Sequence, residues 1–240
     1  DTEIGPYTII GAKVRIGKGV KIGAHVNIEG PTSIDEGNKI FPYVSIGTPP
    51  QDLKYEGGDT QIIIGKNNTI REFVTINRGT EHGGRKTIVG DNNFIMAYVH
   101  IAHDCQIGNT VIMSNVATLG GHIEIEDYAV VGGITAVHQF VRIGAYSFIG
   151  GASALSMDLP PYLSAAGNRA KIYGVNVMGL ERNNFTKEAI ENIKSAYRII
   201  FRSRLTLKDA MSKVEDELAG ASEVARLVEF IKVSKRGICR

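Results

Sequence analysis

Aliphatic side chains fall on every sixth position over most of the chain. They stand at Ile4, Ile10, Ile16, Ile22, Ile28, Ile34, Ile40 and Ile46, and again at Ile64, Ile70 and Ile76. After one further interruption the frame shifts by a single position and runs unbroken through Val89, Ile95, Ile101, Ile107, Met113, Leu119, Ile125, Val131, Val137, Ile143, Ile149 and Leu155. A small residue often follows, as at Gly5, Gly11, Gly17, Gly23, Gly65, Gly90, Gly108, Gly144 and Gly150. Six residues make one short strand and one turn, three such units close a triangular coil of eighteen, and stacked coils bury a column of aliphatic side chains. An amphipathic strand mimics two or three units, whereas this pattern holds its register for more than twenty. The pattern predicts a mainly β fold, a parallel β-helix over residues 1–163. Glycine after the aliphatic position is expected to tolerate the backbone angles of the turn.

Periodicity does not contain the hand of the coil. Known hexapeptide coils wind left-handed, against the usual right-handed crossover of parallel strands, so a left-handed parallel β-helix is expected. Two stretches break the register: TPPQDLKYEGGDTQ at 48–61 and RGTEHGGRKT at 78–87. Their Pro, Gly and charge predict loop insertions, which in repeat proteins collect on the binding face.

Past residue 163 the period changes to that of a helix. Ile190, Ile193, Tyr197 and Ile200 share one face of 187–202, with Thr186 placed as N-cap. Further helices are expected after Thr206, carrying Met211, Val214 and Leu218, and after Ser222, carrying Val224, Leu227, Val228 and Ile231. Residues 164–240 are therefore expected as a C-terminal α-helical domain that caps the open end of the coil, where strand edges are otherwise exposed.

Composition adds three constraints. At 240 residues and 43 % hydrophobic content the chain builds a substantial core, and no apolar run approaches a membrane span or a leader. Cys105 and Cys239 are too few for a disulfide framework, so a reducing, cytoplasmic setting is expected. The net charge of +2 points to no nucleic-acid partner, but it is unevenly spread. Residues 164–240 carry fifteen Lys/Arg against nine Asp/Glu, a basic tail suited to an acidic partner.

The candidate chemistry lies in HIAHDC at 100–105. With eighteen residues per coil, His103 stacks against Gly121, with Gln139 one coil further on; Asp104 stacks against His122, His100 against Thr118, and His138 shares a column with Gly120 and Ala102. Four of the six histidines crowd one patch, with a position lacking a side chain directly over His103. Histidine next to an approachable backbone N–H has the parts for acyl transfer, a base for a hydroxyl proton and a donor for the developing oxyanion. Asp104 supports that base only if the adjacent pair occupies a bend, since neighbours in a strand face opposite ways. Cys105 lies one residue out of phase and no nucleophile motif stands out, so direct attack by an acceptor hydroxyl is favoured over a covalent enzyme intermediate. His25 and His82 read as solvated. Clustered imidazoles also suit zinc, as in the intersubunit three-histidine site of the gamma-type carbonic anhydrases; the basic helical tail counts against that reading.

A longer set of motifs runs in fixed order: QDLKY at 51–55, NNTIRE at 67–72, VTINRGT at 74–80, HIAHDC at 100–105, ATLGGH at 117–122, TAVHQF at 135–140, PPY at 160–162, GVNVMGLER at 174–182 and AYRIIFRS at 196–203. Nearly the whole chain thus resembles the UDP-N-acetylglucosamine O-acyltransferases that begin lipid A synthesis. The resemblance implies His103 as general base for the sugar 3-hydroxyl, Asp104 as its support, and the Gly121 N–H as oxyanion donor. It further implies that Asp52, Lys54, His100, His122, His138 and Gln139 line a cleft between the subunits of a homotrimer. Asn176 and Arg182 would meet the nucleotide end, Arg182 at phosphate, and Gly151, lacking a side chain, would leave room for a long hydroxyacyl chain. Acyl carrier protein, an acidic donor, would be steered by Arg169, Lys171, Lys194, Arg198 and Arg202. No metal or cofactor is implied.

Two features depart from that family. The chain opens at Asp1 already inside the repeat, about one coil late, which implies a trimmed N-terminus, and Met178 stands where an acidic residue is common. Related N-acyltransferases carry an extra N-terminal domain, for which there is no room before the repeat. A non-catalytic hexapeptide scaffold would gain nothing from desolvating several polar side chains around a cleft.

Overall fold

The computed structural model describes all 240 residues. Residues 3–155 wind as a left-handed parallel β-helix whose three faces are sheets of eight, eight and seven strands. Each strand pairs with the one three units on, so Ile101, Leu119, Val137 and Leu155 form one column in direct register. Ile28, Ile46, Ile76, Ile101 and Leu119 are fully buried along the axis. The position four residues on, at Val99, Cys105, Val111, Ala117 and Ile123, also points inward and is fully buried.

The turn itself is built differently from the sequence expectation. The left-handed residue is not the glycine after the aliphatic position but the residue three after it: Tyr98, Asp104, Thr110, Val116, His122, Tyr128, Ile134 and Phe140 all have φ between 56° and 65°. Glycine after the aliphatic position answers a second demand, the close approach of the next coil. A Cβ at Gly5 would lie 2.6 Å from the Ala24 nitrogen, and one at Gly23 2.7 Å from the Pro42 nitrogen.

One corner of the core is polar. Asn38, Asn68 and Asn93 take the second inward position in successive coils, and each side-chain oxygen accepts from the next backbone N–H: Asn68 at 2.9 Å, Asn93 at 2.8 Å and Val111 at 2.7 Å. Their amide nitrogens donate to the carbonyls of Gly65, Gly90 and Gly108, so every side-chain amide atom of the ladder has a partner.

The two insertions leave the coil at residues 49–60 and 78–85, slightly inside the expected limits, because Thr48, Gln61, Lys86 and Thr87 stay in strands. They are clasped to one another. Arg78 donates to the Tyr55 hydroxyl at 3.0 Å, Asn77 donates to the Thr48 hydroxyl at 2.9 Å, and Glu81 accepts from the Gly58 N–H.

Beyond the coil, strands Leu163–Ala166 and Lys171–Val175 form an antiparallel hairpin that brings one eight-stranded face to ten strands. Four helices follow: α1 (Val177–Arg182), α2 (Lys187–Tyr197), α3 (Leu207–Glu217) and α4 (Ser222–Lys232). Thr186 caps α2 by accepting from the Ala189 N–H at 3.1 Å, as expected. The hairpin and α1 were not anticipated. The expected helix to 202 changes at Arg198 into a π-helical turn. Its wider spacing sets residues five apart over each other, so Arg202 donates to the Tyr197 hydroxyl at 2.9 Å and lies over its ring. No helix is long and apolar enough to cross a membrane.

Candidate active site

His103 and Asp104 occupy one turn of the coil, with Asp104 left-handed at φ 60°. That bend lets adjacent side chains meet. Asp104 Oδ2 lies 2.9 Å from His103 Nδ1; an ionised carboxylate only accepts, so Nδ1 carries the proton and Nε2 keeps its lone pair. Thr80, in the second insertion, closes on the same carboxylate with its N–H at 3.0 and 3.2 Å and its hydroxyl at 2.7 Å. The Asp104 N–H donates to the Thr87 hydroxyl at 2.9 Å. Burial raises the Asp104 pKa, but the hydrogen bonds from His103 and Thr80 outweigh it, and the carboxyl ends below its ordinary value.

His122, one coil on, brings Nε2 to 3.8 Å from the same Asp104 oxygen and sets its ring edge-on to His103 at 5.1 Å between centroids. Burial lowers the His122 pKa, only partly countered by Asp104, and burial with the neighbouring His103 charge lowers that of His100. His100 stands on the adjacent face, its Nδ1 2.7 Å from the Thr75 hydroxyl. His103, Asp104 and His122 hold ligating atoms within 4.8 Å of one another, but two imidazoles and a carboxylate of one chain are not the intersubunit three-histidine set considered above.

The His103 ring fills the place that a side chain at Gly121 would take. A Cβ at Gly121 would fall 2.5 Å from Cε1 and 2.7 Å from Nε2 of the His103 ring. At the turn position that Gly121 occupies, two after the aliphatic residue, the N–H makes no hydrogen bond to another coil's backbone, which is why Pro6, Pro42 and Pro161 fit there in other coils. At another corner the same N–H is capped from the next coil, as the Asn109 side chain caps Asp91 at 2.8 Å and the Asp127 side chain caps Asn109 at 2.7 Å. The Gly121 N–H has no such cap.

The first insertion delivers Asp52 to this corner. Its carboxylate accepts the Lys54 N–H at 3.0 Å, and that bond, with the nearby His103 and His82 charges, holds its pKa below the ordinary value against a smaller effect of burial. His82 is not simply solvated, since its Nε2 lies 3.8 Å from the Asp52 carboxylate. Nor is His25, whose ring stacks between Tyr7 and Tyr43 at 5.0 and 5.1 Å. Thr80 was not singled out and His82 was read as solvated, because both sit in an insertion, outside the register that relates one coil to the next. Cys105 is fully buried at the second inward position, and burial pushes its thiol up to about 12.

Other expected residues lie apart. His138 is exposed and donates from Nδ1 to the Gln139 carbonyl at 3.1 Å. Gly151 lies at a different corner, against the Gly133 backbone. Asn176 caps α1 by accepting from Gly179 at 3.2 Å and donates to the Tyr146 carbonyl at 2.8 Å, so its side chain is engaged within the fold. Arg182 ends the same helix, exposed. Lys194 and Arg198 both pair with Glu191, at 2.7 and 3.8 Å, and Arg202 is held on Tyr197. Arg169 and Lys171 flank and open the second hairpin strand.

Residues 158–239 match the family model for the second domain of UDP-N-acetylglucosamine O-acyltransferases, and residues 1–30 and 86–121 match the bacterial transferase hexapeptide model. The acyl-[acyl-carrier-protein]–UDP-N-acetylglucosamine O-acyltransferase of Thermodesulfovibrio yellowstonii is 56 % identical over 237 residues, 99 % of this chain and 92 % of the relative. Its counterpart in Syntrophobacter fumaroxidans is 51 % identical over 241 residues, 100 % of this chain and 93 % of the relative. The crystal structure of Francisella novicida UDP-N-acetylglucosamine acyltransferase aligns with a TM-score of 0.96 at 40 % identity, covering 100 % of this chain and 88 % of that one. With a hexapeptide coil that packs an aspartate-held histidine against a glycine of the next coil, and relatives this similar over nearly their full length, the chain belongs to the UDP-N-acetylglucosamine O-acyltransferase family.

Proposed function

We propose that this enzyme transfers a 3-hydroxyacyl chain from acyl carrier protein to the 3-hydroxyl of UDP-N-acetylglucosamine, the first step of lipid A biosynthesis, with His103 as general base. The carrying observation is the 2.9 Å bond from His103 Nδ1 to Asp104, which leaves Nε2 as the proton acceptor beside Gly121. Nε2 takes the hydroxyl proton as the sugar oxygen bonds to the thioester carbon. The carbonyl oxygen becomes an oxyanion, to which the uncapped Gly121 N–H donates. Collapse breaks the carbon–sulfur bond, and the departing thiolate takes the proton back from the imidazolium that Asp104 has stabilised. A buried thiol at about 12 is no nucleophile, so Cys105 carries no acyl intermediate.

Substrate placement follows the same reading. Asp52, Lys54, His100, His122, His138 and Gln139 line the cleft, Asn176 and Arg182 serve the nucleotide end, and Gly151 leaves space for a long acyl chain. His103 and Gly151 stand at different corners of the coil, so a site that uses both draws on two subunits; this supports a homotrimer with sites between neighbours. Residues 1–163 are the scaffold and 164–240 the helical appendage, whose exposed Arg169 and Lys171, with Lys194, Arg198 and Arg202, face the acidic carrier. The setting is cytoplasmic.

The test mixes chelator-treated protein with UDP-N-acetylglucosamine and 3-hydroxyacyl carrier proteins of several chain lengths and follows free carrier thiol. Turnover is expected with chelator present, and His103→Ala is expected to lose about two to four orders of magnitude at unchanged thermal stability. A His103→Ala protein with wild-type turnover would sink the assignment.

A further inference from the structure

The second insertion does more to Asp104 than cover it. Thr80 is fully buried and binds the carboxylate through both its N–H, at 3.0 and 3.2 Å, and its hydroxyl, at 2.7 Å to the same oxygen that holds His103. The loop in turn wraps Thr80, whose carbonyl accepts from the N–H groups of Gly83 at 3.3 Å and Arg85 at 3.2 Å. The fit is tight: a Cβ at Gly83 would fall 2.4 Å from the Asp104 carboxylate. Left with His103 and the distant His122 alone, that carboxylate would rotate about its terminal bond, and the imidazole would lose the partner that fixes its tautomer.

We infer that Thr80 is a positioning residue for acyl transfer, locking the Asp104 carboxylate so that His103 keeps its proton on Nδ1 and presents Nε2 to the acceptor hydroxyl. Thr80 touches no substrate and acts through Asp104. The inference rests on the acyl-transfer reading, and it turns the second insertion from a loop on the binding face into part of the base.

The experiment compares wild-type, Thr80→Val and Thr80→Ser proteins in kcat, KM for UDP-N-acetylglucosamine, and 15N-histidine spectra of the neutral His103 ring. Thr80→Val is expected to lose about tenfold to a hundredfold in kcat, the worth of one hydrogen bond to a charged group, with KM nearly unchanged and the ring spread over both tautomers. Thr80→Ser is expected to restore the rate and the single tautomer. In an Asp104→Ala background Thr80→Val is expected to add no further loss, since its route is already cut. Should Thr80→Val fail to fold, Gly83→Ala, which pushes on the same carboxylate, is expected to give the same kcat loss and tautomer mixture. A Thr80→Val protein with wild-type kcat and one tautomer, or a full additional loss in the Asp104→Ala background, would overturn the role of Thr80. Absent turnover in the wild type would overturn the reaction itself, while the tautomer spectra would still judge Thr80.

Discussion

A methyl group at position 121 would overlap the His103 ring, 2.5 Å from Cε1. Gly121 has ordinary backbone angles, so alanine adds no conformational strain and its effect falls on the placement of the His103 ring. Gly121→Ala is expected to drop kcat by about two orders of magnitude or more, the cost of misplacing a base and its oxyanion donor together, while circular dichroism and the melting temperature change little. A variant at wild-type kcat would mean that the packing of His103 on Gly121 does not set the reaction geometry. This pairing was legible in the sequence because eighteen-residue spacing is a coordinate: it puts 103 under 121 with no knowledge of the fold beyond its period. The Thr80 contact was not, since an insertion has no period to count by. The bend that lets Asp104 reach His103 was stated as a condition, and the left-handed turn residue met it.

At the scale of elements, the repeat told where strands would be but misjudged what its glycines do. Only coordinates separate a glycine kept for φ from one kept for contact, because both demands select the same residue type. The asparagine ladder was equally hidden, as Asn38, Asn68 and Asn93 are 30 and 25 residues apart, with an insertion in each interval, and fall outside the eighteen-residue spacing. Removing Asn68 leaves the Asn93 N–H without its 2.8 Å acceptor in the buried core and takes the 2.9 Å donor from the Gly90 carbonyl. At roughly 1–3 kcal/mol for each stranded buried group, Asn68→Ala is expected to destabilise the protein by at least about 2 kcal/mol, seen as a lower urea midpoint. An unchanged midpoint would show that water or a backbone shift replaces the ladder. In the tail, the three periodic helices were read correctly from apolar spacing, whereas α1 and the hairpin, too short to establish a period, were not.

Across the whole molecule, charge and protonation follow burial more than composition. The basic excess of the tail is partly taken up internally, on Glu191 by Lys194 and Arg198, on Glu126 by Arg226 and on Glu215 by Lys232. The histidines set the response to acid. Burial holds His100 and His122 below the ordinary histidine value in the fold, which the unfolded chain shows at about 6.5. Below that pH the unfolded state therefore binds protons that the folded state refuses, and the stability these two contribute, fully present above about 6.5, is lost as pH falls through their folded values. Asp104, also lowered, adds a second loss only at much lower pH, once unfolded aspartates protonate near about 3.9. The melting temperature is thus expected to be level from about pH 7 to 8 and to decline below about 6.5, well before the carboxylates titrate. His100→Gln, which keeps a polar partner for Thr75 but cannot be protonated, is expected to flatten the upper part of that decline. A melting temperature that stays level down to about pH 5, or a decline that His100→Gln leaves as steep, would show that these histidines are charged in the fold.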